Sequence, residues 1–214
     1  MIESYECNSD AIILENIARN RFKSPYRMDV VPIQLLKVII SQLAKFHGLS
    51  FVLKHEKRDY FENKIETIKS PLHFDKNAWK DTNSEVVLID YQFMFYASPI
   101  IDILYFIYTG TDGQLREAHM NELKDLYHTE LTKFLQYFAL NVNDIYPREV
   151  YEKDFQDSLD FGLMAALYVS PVIFTEEDVY PDFGKDDWSF KINKRHKERI
   201  TQIVEEYLEC GILN

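Results

Sequence analysis

Val87-Leu88-Ile89-Asp90-Tyr91-Gln92-Phe93, then Tyr96-Ala97-Ser98-Pro99, then Asp102-Ile103-Leu104-Tyr105-Phe106, is the stretch on which the fold turns. Its first part is β-branched and apolar, and it ends on an acid. The polar run from Lys76 to Glu85 before it suits a turn. This pattern predicts a strand that delivers Asp90 to its C-terminal end. Pro99 then opens a helix over Ile100 to Tyr108, which Thr109-Gly110 should stop. A carboxylate at a strand end can hold Mg²⁺ against nucleotide phosphates. A lone strand-end Asp can also be an ordinary turn residue.

Working outward, Ile12-Ile13-Leu14 reads as a buried strand running into Glu15-Asn16-Ile17. Pro25 and Pro32 bracket a loop, and Pro32 suits the first position of a helix because its missing N–H has no helical partner. From Ile33 to Leu53 the apolar residues Leu36, Ile39, Ile40, Leu43 and Phe46 recur at helical spacing. Lys54 to Lys69 is charged and weakly patterned. Downstream, a long amphipathic helix is expected over Leu115 to Leu140, with Leu123, Leu126, Tyr127, Leu131, Phe134, Leu135 and Phe138 on one face. Another is expected from Glu149 to about Leu167, ending before Pro171. Thr175 to Ser189 reads as an acidic loop. Asn193 to Leu208 should form a terminal helix closed by Gly211. The expectation is an α+β chain, predominantly helical.

Composition narrows the function. The chain has 214 residues and a formal charge of −11, with no basic stripe for nucleic acid. Its two cysteines, Cys7 and Cys210, lack metal-ligand spacing and fit reduced thiols in a cytoplasmic protein. No apolar run reaches the roughly 18 residues of a membrane span, so no membrane partner is expected. Neither a Gly-rich phosphate loop nor a G-x-S-x-G elbow is present. The acidic loop holds Asp178, Asp182, Asp186 and Asp187, but Tyr180 and Phe183 fall where a calcium loop needs an oxygen ligand and a glycine.

The Asp90 to Phe106 run resembles the pattern of the ecdysteroid-kinase-like (CHK-kinase-like) family: hydrophobic-Asp-[Phe/Tyr]-Gln, Ser-Pro, then Asp-Leu-x-Tyr-Phe. Leu14-Glu15-Asn16-Ile17 with Arg21-Phe22-Lys23 resembles the family's interlobe hinge. Leu43-Ala44-Lys45-Phe46-His47-Gly48-Leu49-Ser50-Phe51 resembles its helix motif Leu-Ala-x-[Phe/Leu]-His-[Ala/Gly]-x-Ser. Arg199 to Leu213 fits the family's end. The family is related to choline kinases and aminoglycoside phosphotransferases and has a protein-kinase-like fold. The resemblance implies an ATP- and Mg²⁺-dependent kinase acting on a small-molecule, steroid-like hydroxyl. It implies adenine contact at Glu15, Asn16 and Ile17, and Mg²⁺ at Asp90. Asp102 matches a buried acid that braces the catalytic loop, or is simply a first-turn acid favoured by the helix dipole. His47 matches a family position and is expected to be a packed structural histidine.

The departures are as informative. The family places a His-Gly-Asp-x-Trp-x-x-Asn catalytic loop before the Asp-[Phe/Tyr]-Gln strand, and a phosphate-covering loop and ATP-binding Lys in an N-terminal lobe. Here the chain begins just before the hinge. His73-Phe74-Asp75 is a poor copy of the catalytic loop: Phe74 replaces the Gly, Asn77 stands for the Trp and Lys80 for the Asn. A better alignment puts Leu72 to Asp75 on the strand after that loop, with the loop deleted between about Asn63 and Pro71. Residues 1–214 then read as one partial domain, hinge and C-lobe. That reading makes the chain a truncated, catalytically incompetent member, or a non-catalytic binding or scaffold protein.

Overall fold

A computed structural model describes residues 4–7, 12–14, 25–68, 96–176 and 190–213. The strands β1 (Ser4–Cys7) and β2 (Ile12–Leu14) pair antiparallel, with Cys7 opposite Ile12 and an irregularity between Ser4 and Glu6. Everything else regular among the described residues is helical: α1 (Ile33–Glu56), α2 (Arg58–Tyr60), a π-helical turn (Phe61–Ile65), α3 (Ile100–Gly110), α4 (Gly113–Gln136), α5 (Val142–Ile145), α6 (Arg148–Asp157), α7 (Leu159–Ile173) and α8 (Lys194–Glu209). The α+β, predominantly helical expectation holds.

Local chemistry sets the helix ends. Pro32 precedes α1 with an extended ψ and no cap donor to satisfy. Asp112 caps α4 by accepting from the Leu115 N–H at 2.9 Å, and Asn193 caps α8 by accepting from the His196 N–H at 3.0 Å. Gly211 closes α8 at φ +70°, a backbone that glycine adopts without strain. Thr109 and Gly110 lie inside α3 rather than stopping it; the Thr109 hydroxyl donates to the Tyr105 carbonyl one turn back.

The expected helix over 149–167 is two helices, broken at Ser158. The second runs through Pro171 instead of ending before it. Proline there removes a bond to the Leu167 carbonyl, and Leu167 is 46% exposed, so water can reach that side of the helix. The Arg27 guanidinium donates to the carbonyls of Ile173 and Thr175, and the Thr175 hydroxyl donates to that of Pro171. These partners absorb carbonyls that the helix end would orphan.

Two helix pairs organise the core. α1 and α4 run in the same direction: Lys37 pairs with Glu122, His47 meets Tyr127, and Gly48 lies against Phe134. A Cβ on Gly48 would stand 2.4 Å from Phe134 Cδ1, so the glycine sets how closely the two axes approach. α1 is long and apolar enough to cross a membrane by length and composition. Its buried Leu35, Leu36, Ile39, Ile40, Leu43 and Ala44 instead pack in the core with Leu123, Tyr127, Leu131 and Leu135 of α4. α7 and α8 run antiparallel, with Ser170 beside His196 and the Tyr207 hydroxyl donating to the Leu159 carbonyl. α3 packs on α7, where Gly162 admits the rings of Tyr108 and Tyr207.

Candidate functional site

Glu15, Asn16, Ile17 and Asp90, the residues expected to meet adenine and Mg²⁺, lie outside the described residues, as do His73 and Asp75. The described part of the site is built by α1, α3 and α4. The helix motif around Leu43 to Phe51 sits in the middle of α1, with Leu43, Ala44, His47 and Gly48 buried. Pro99 starts α3, which carries Asp102 in its first turn.

These helices converge on one hydrogen-bonded chain. His47 Nε2 lies 3.0 Å from Asp102 Oδ2, and His47 Nδ1 lies 2.8 Å from the Tyr127 hydroxyl. A carboxylate only accepts, so the Nε2 carries the proton and donates to Asp102. The other ring nitrogen, Nδ1, meets the Tyr127 hydroxyl. Burial pushes the Tyr127 hydroxyl well above the usual phenol range, so it stays protonated and available to donate. Tyr127 is fully buried and His47 nearly so. His47 is therefore the packed, doubly bonded structural histidine that its place in the motif implied.

Asp102 is a correction. It is helical, as expected, but its side chain is 56% exposed rather than buried. The reason is geometric. The first turn of α3 projects the carboxylate past the edge of the α1 surface, so Oδ2 reaches His47 while much of the group faces outward. A second polar knot adjoins the Ser-Pro motif: the Tyr146 hydroxyl donates to Asp154 Oδ2 at 2.7 Å, and the Ser98 hydroxyl lies 3.5 Å from the same oxygen. It holds the residue before Pro99, and hence the start of α3, against α6.

Tyr127 is the member of this cluster that sequence reasoning placed only on an apolar face. The available signal was chemical: a phenol on a fully buried stripe must find a partner for its O–H. Among the described residues no group of three or more His, Cys, Asp or Glu side chains is placed to hold a metal. With Asp102 engaged by His47, the described residues supply no fit to ATP or Mg²⁺.

The described residues thus form a helical body in which a buried motif histidine is tied to a first-turn aspartate. The family model of the ecdysteroid kinase-like family matches residues 2–82 and 73–140, and the chain belongs to that family. No curated protein and no solved structure matches it.

Proposed function

We propose that this chain is a family member that does not transfer phosphate: it keeps the helical lobe of an ATP-dependent small-molecule kinase without a working catalytic loop. The observation that carries the reading is internal to the chain. The family match falls into two segments that overlap over residues 73–82, beside the stretch of 63–71 where the catalytic loop should be. Two overlapping matches fit a domain that has lost part of its length near here. The sequence there contains no His-Gly-Asp-x-Trp-x-x-Asn. Phosphoryl transfer depends on positioning and charge neutralisation, so a missing loop cannot be replaced by residues far from it. Asp90 remains the proposed Mg²⁺ ligand and Glu15 to Ile17 the proposed adenine contact.

The test is ATP turnover by the purified chain with Mg²⁺ and a panel of ecdysteroids and other small alcohols. No phosphorylated product is expected above the no-enzyme rate. Turnover that disappears in Asp75→Asn would overturn the proposal and establish His73-Phe74-Asp75 as a working loop. Retained nucleotide binding reads out separately, as a Mg·ATP-dependent rise in Tm that Asp90→Asn removes.

A second reading, a binding or scaffold protein in the cytoplasm, draws support from α7. Its outer face carries Met164, Leu167 and Tyr168, respectively 57%, 46% and 57% exposed. Exposed apolar side chains grouped on one helix face are where partners or steroid-like ligands dock. Saturable binding of a sterol that Met164→Glu abolishes would favour it.

A further inference from the structure

Lys54, in the last turn of α1, sends its ammonium to two places at once. Nζ donates to Glu66 Oε1 at 2.9 Å and to the Tyr96 hydroxyl at 3.1 Å. It also stands 5.4 Å from the ring centroid of Phe61 and 5.3 Å from that of Tyr96. The two rings meet edge-on with centroids 5.2 Å apart. Phe61 is 1% exposed, so the node is anchored in the interior on one side. On the other side Lys54 and Glu66 are 41% and 34% exposed.

Glu66 and Tyr96 lie 30 positions apart in sequence, and Lys54 bonds both. The π-helical turn makes the first approach possible: the Glu66 N–H reaches back to the Phe61 carbonyl at 3.1 Å, closing a wider turn than an α-helix would. A lysine ammonium has three donors and a flexible stem, which suits it to bridging two acceptors from different parts of the chain. Its place at the C-terminus of α1 is favoured by the helix dipole as well.

We propose that Lys54 is a positioning residue: its ammonium holds Glu66 and Tyr96 together and so fixes the end of the π-helical turn against the segment that leads into α3. The proposal is independent of whether the protein transfers phosphate. The hydrogen bond it donates to Glu66, then the one it donates to Tyr96, pushes Lys54 above the ordinary lysine value, so the tie is charged throughout the neutral range. The Arg58 guanidinium, one turn further on, hydrogen-bonds Glu62 rather than Glu66.

The test is amide hydrogen exchange on the whole chain. Lys54→Met keeps the apolar stem and removes the charge. Exchange over 61–68 and 96–100 should accelerate about fivefold, the worth of one exposed ion pair plus a cation–π contact. Exchange in the interior of α4, residues 123–135, should not change. Lys54→Arg should keep most of the protection. About 1 M NaCl should bring the unsubstituted protein toward the Met variant, because the ionic part is screened while packing of the stem is not. Tyr96→Phe, which removes only the hydroxyl, should accelerate 96–100 by about twofold. Unchanged exchange at 61–68 and 96–100 in Lys54→Met would overturn the proposal. So would equal acceleration in α4, which would make Lys54 a general stabiliser rather than a local tie.

Discussion

Two of the polar clusters that tie helices together among the described residues are built on opposite principles. The first joins α1, α3 and α4 through His47, Asp102 and Tyr127. It runs through an imidazole and ends on an outward-facing carboxylate. The second joins α3, α4 and α8. Arg116, 1% exposed, donates from Nε to Glu206 Oε2 at 2.7 Å, while the Tyr108 hydroxyl takes Oε1. Nη1 of Arg116 and Nη1 of Arg199 both donate to the Thr111 carbonyl, at 2.9 and 2.6 Å. This cluster is charged and enclosed, and Arg116 Nη2 has no hydrogen-bond partner among the described residues. The difference separates two jobs. A buried ion pair fixes one geometry because every alternative strands a charge. A chain that starts on a buried phenol and ends on an exposed acid holds that acid in place while leaving it open to a neighbour.

The largest effect should come from cutting the enclosed pair. Glu206→Ala leaves the Arg116 guanidinium buried without a counter-charge, and should cost about 3 kcal/mol of stability in urea unfolding. A loss near zero would mean that Arg116 turns to solvent and that the two clusters are alike after all. Next is Gly162→Ala. A Cβ there would sit 2.6 Å from the Tyr207 hydroxyl oxygen and 2.7 Å from Tyr108 Cδ2, both on buried rings, so overpacking should cost about 2 kcal/mol. Gly48→Ala should cost less, because Phe134 is only partly buried and its ring can rotate aside.

Within the open cluster the two ends should behave unequally. Tyr127→Phe removes the hydroxyl partner of His47 Nδ1 in the core and should cost about 1–2 kcal/mol. It should also shift the histidine ring-nitrogen resonances, because Nδ1 loses its partner. Asp102→Asn, at the exposed end, should cost no more than about 0.5 kcal/mol. If the two substitutions cost the same, Asp102 is as much a core residue as Tyr127.

The smallest expected effect is a pH slope. Burial lowers His196, beside Ser170 and Phe174, below its ordinary value of 6.5. A base whose folded value is depressed binds fewer protons when folded than when unfolded. Stability should therefore fall as pH drops below about 6.5, and His196→Gln should flatten that slope.

Much of this was legible because a few residues leave no choice. Pro32, Pro99, Asn193 and Gly211 each mark an end of α1, α3 or α8, and the period of Leu123, Tyr127, Leu131 and Leu135 marks the core face of α4. The Ser158 break was not legible, since nothing in Asp157-Ser158-Leu159 forbids a helix; packing of α7 on α3 and α8 turns the chain there. Helix continuation through Pro171 depends on Arg27, 144 positions earlier in sequence, which local reading cannot see. The same holds for Asp102: its identity and helical place could be read, but its exposure depends on the distance at which α1 and α3 pass. The proposed nucleotide and Mg²⁺ contacts, Glu15 to Ile17 and Asp90, rest on sequence resemblance alone.

The parallel pairing of α1 and α4 has a consequence for evolution. Two helices that run the same way need a long return path, and here it spans residues 57 to 112. The entropy of closing such a path rises only with the logarithm of its length, about 0.6 kcal/mol for each doubling. Removing a dozen residues from the middle therefore changes the cost of bringing α1 to α4 by a few tenths of a kcal/mol. Selection for a stable lobe is nearly blind to such a loss, so this topology lets a lineage discard its chemistry and keep its shape.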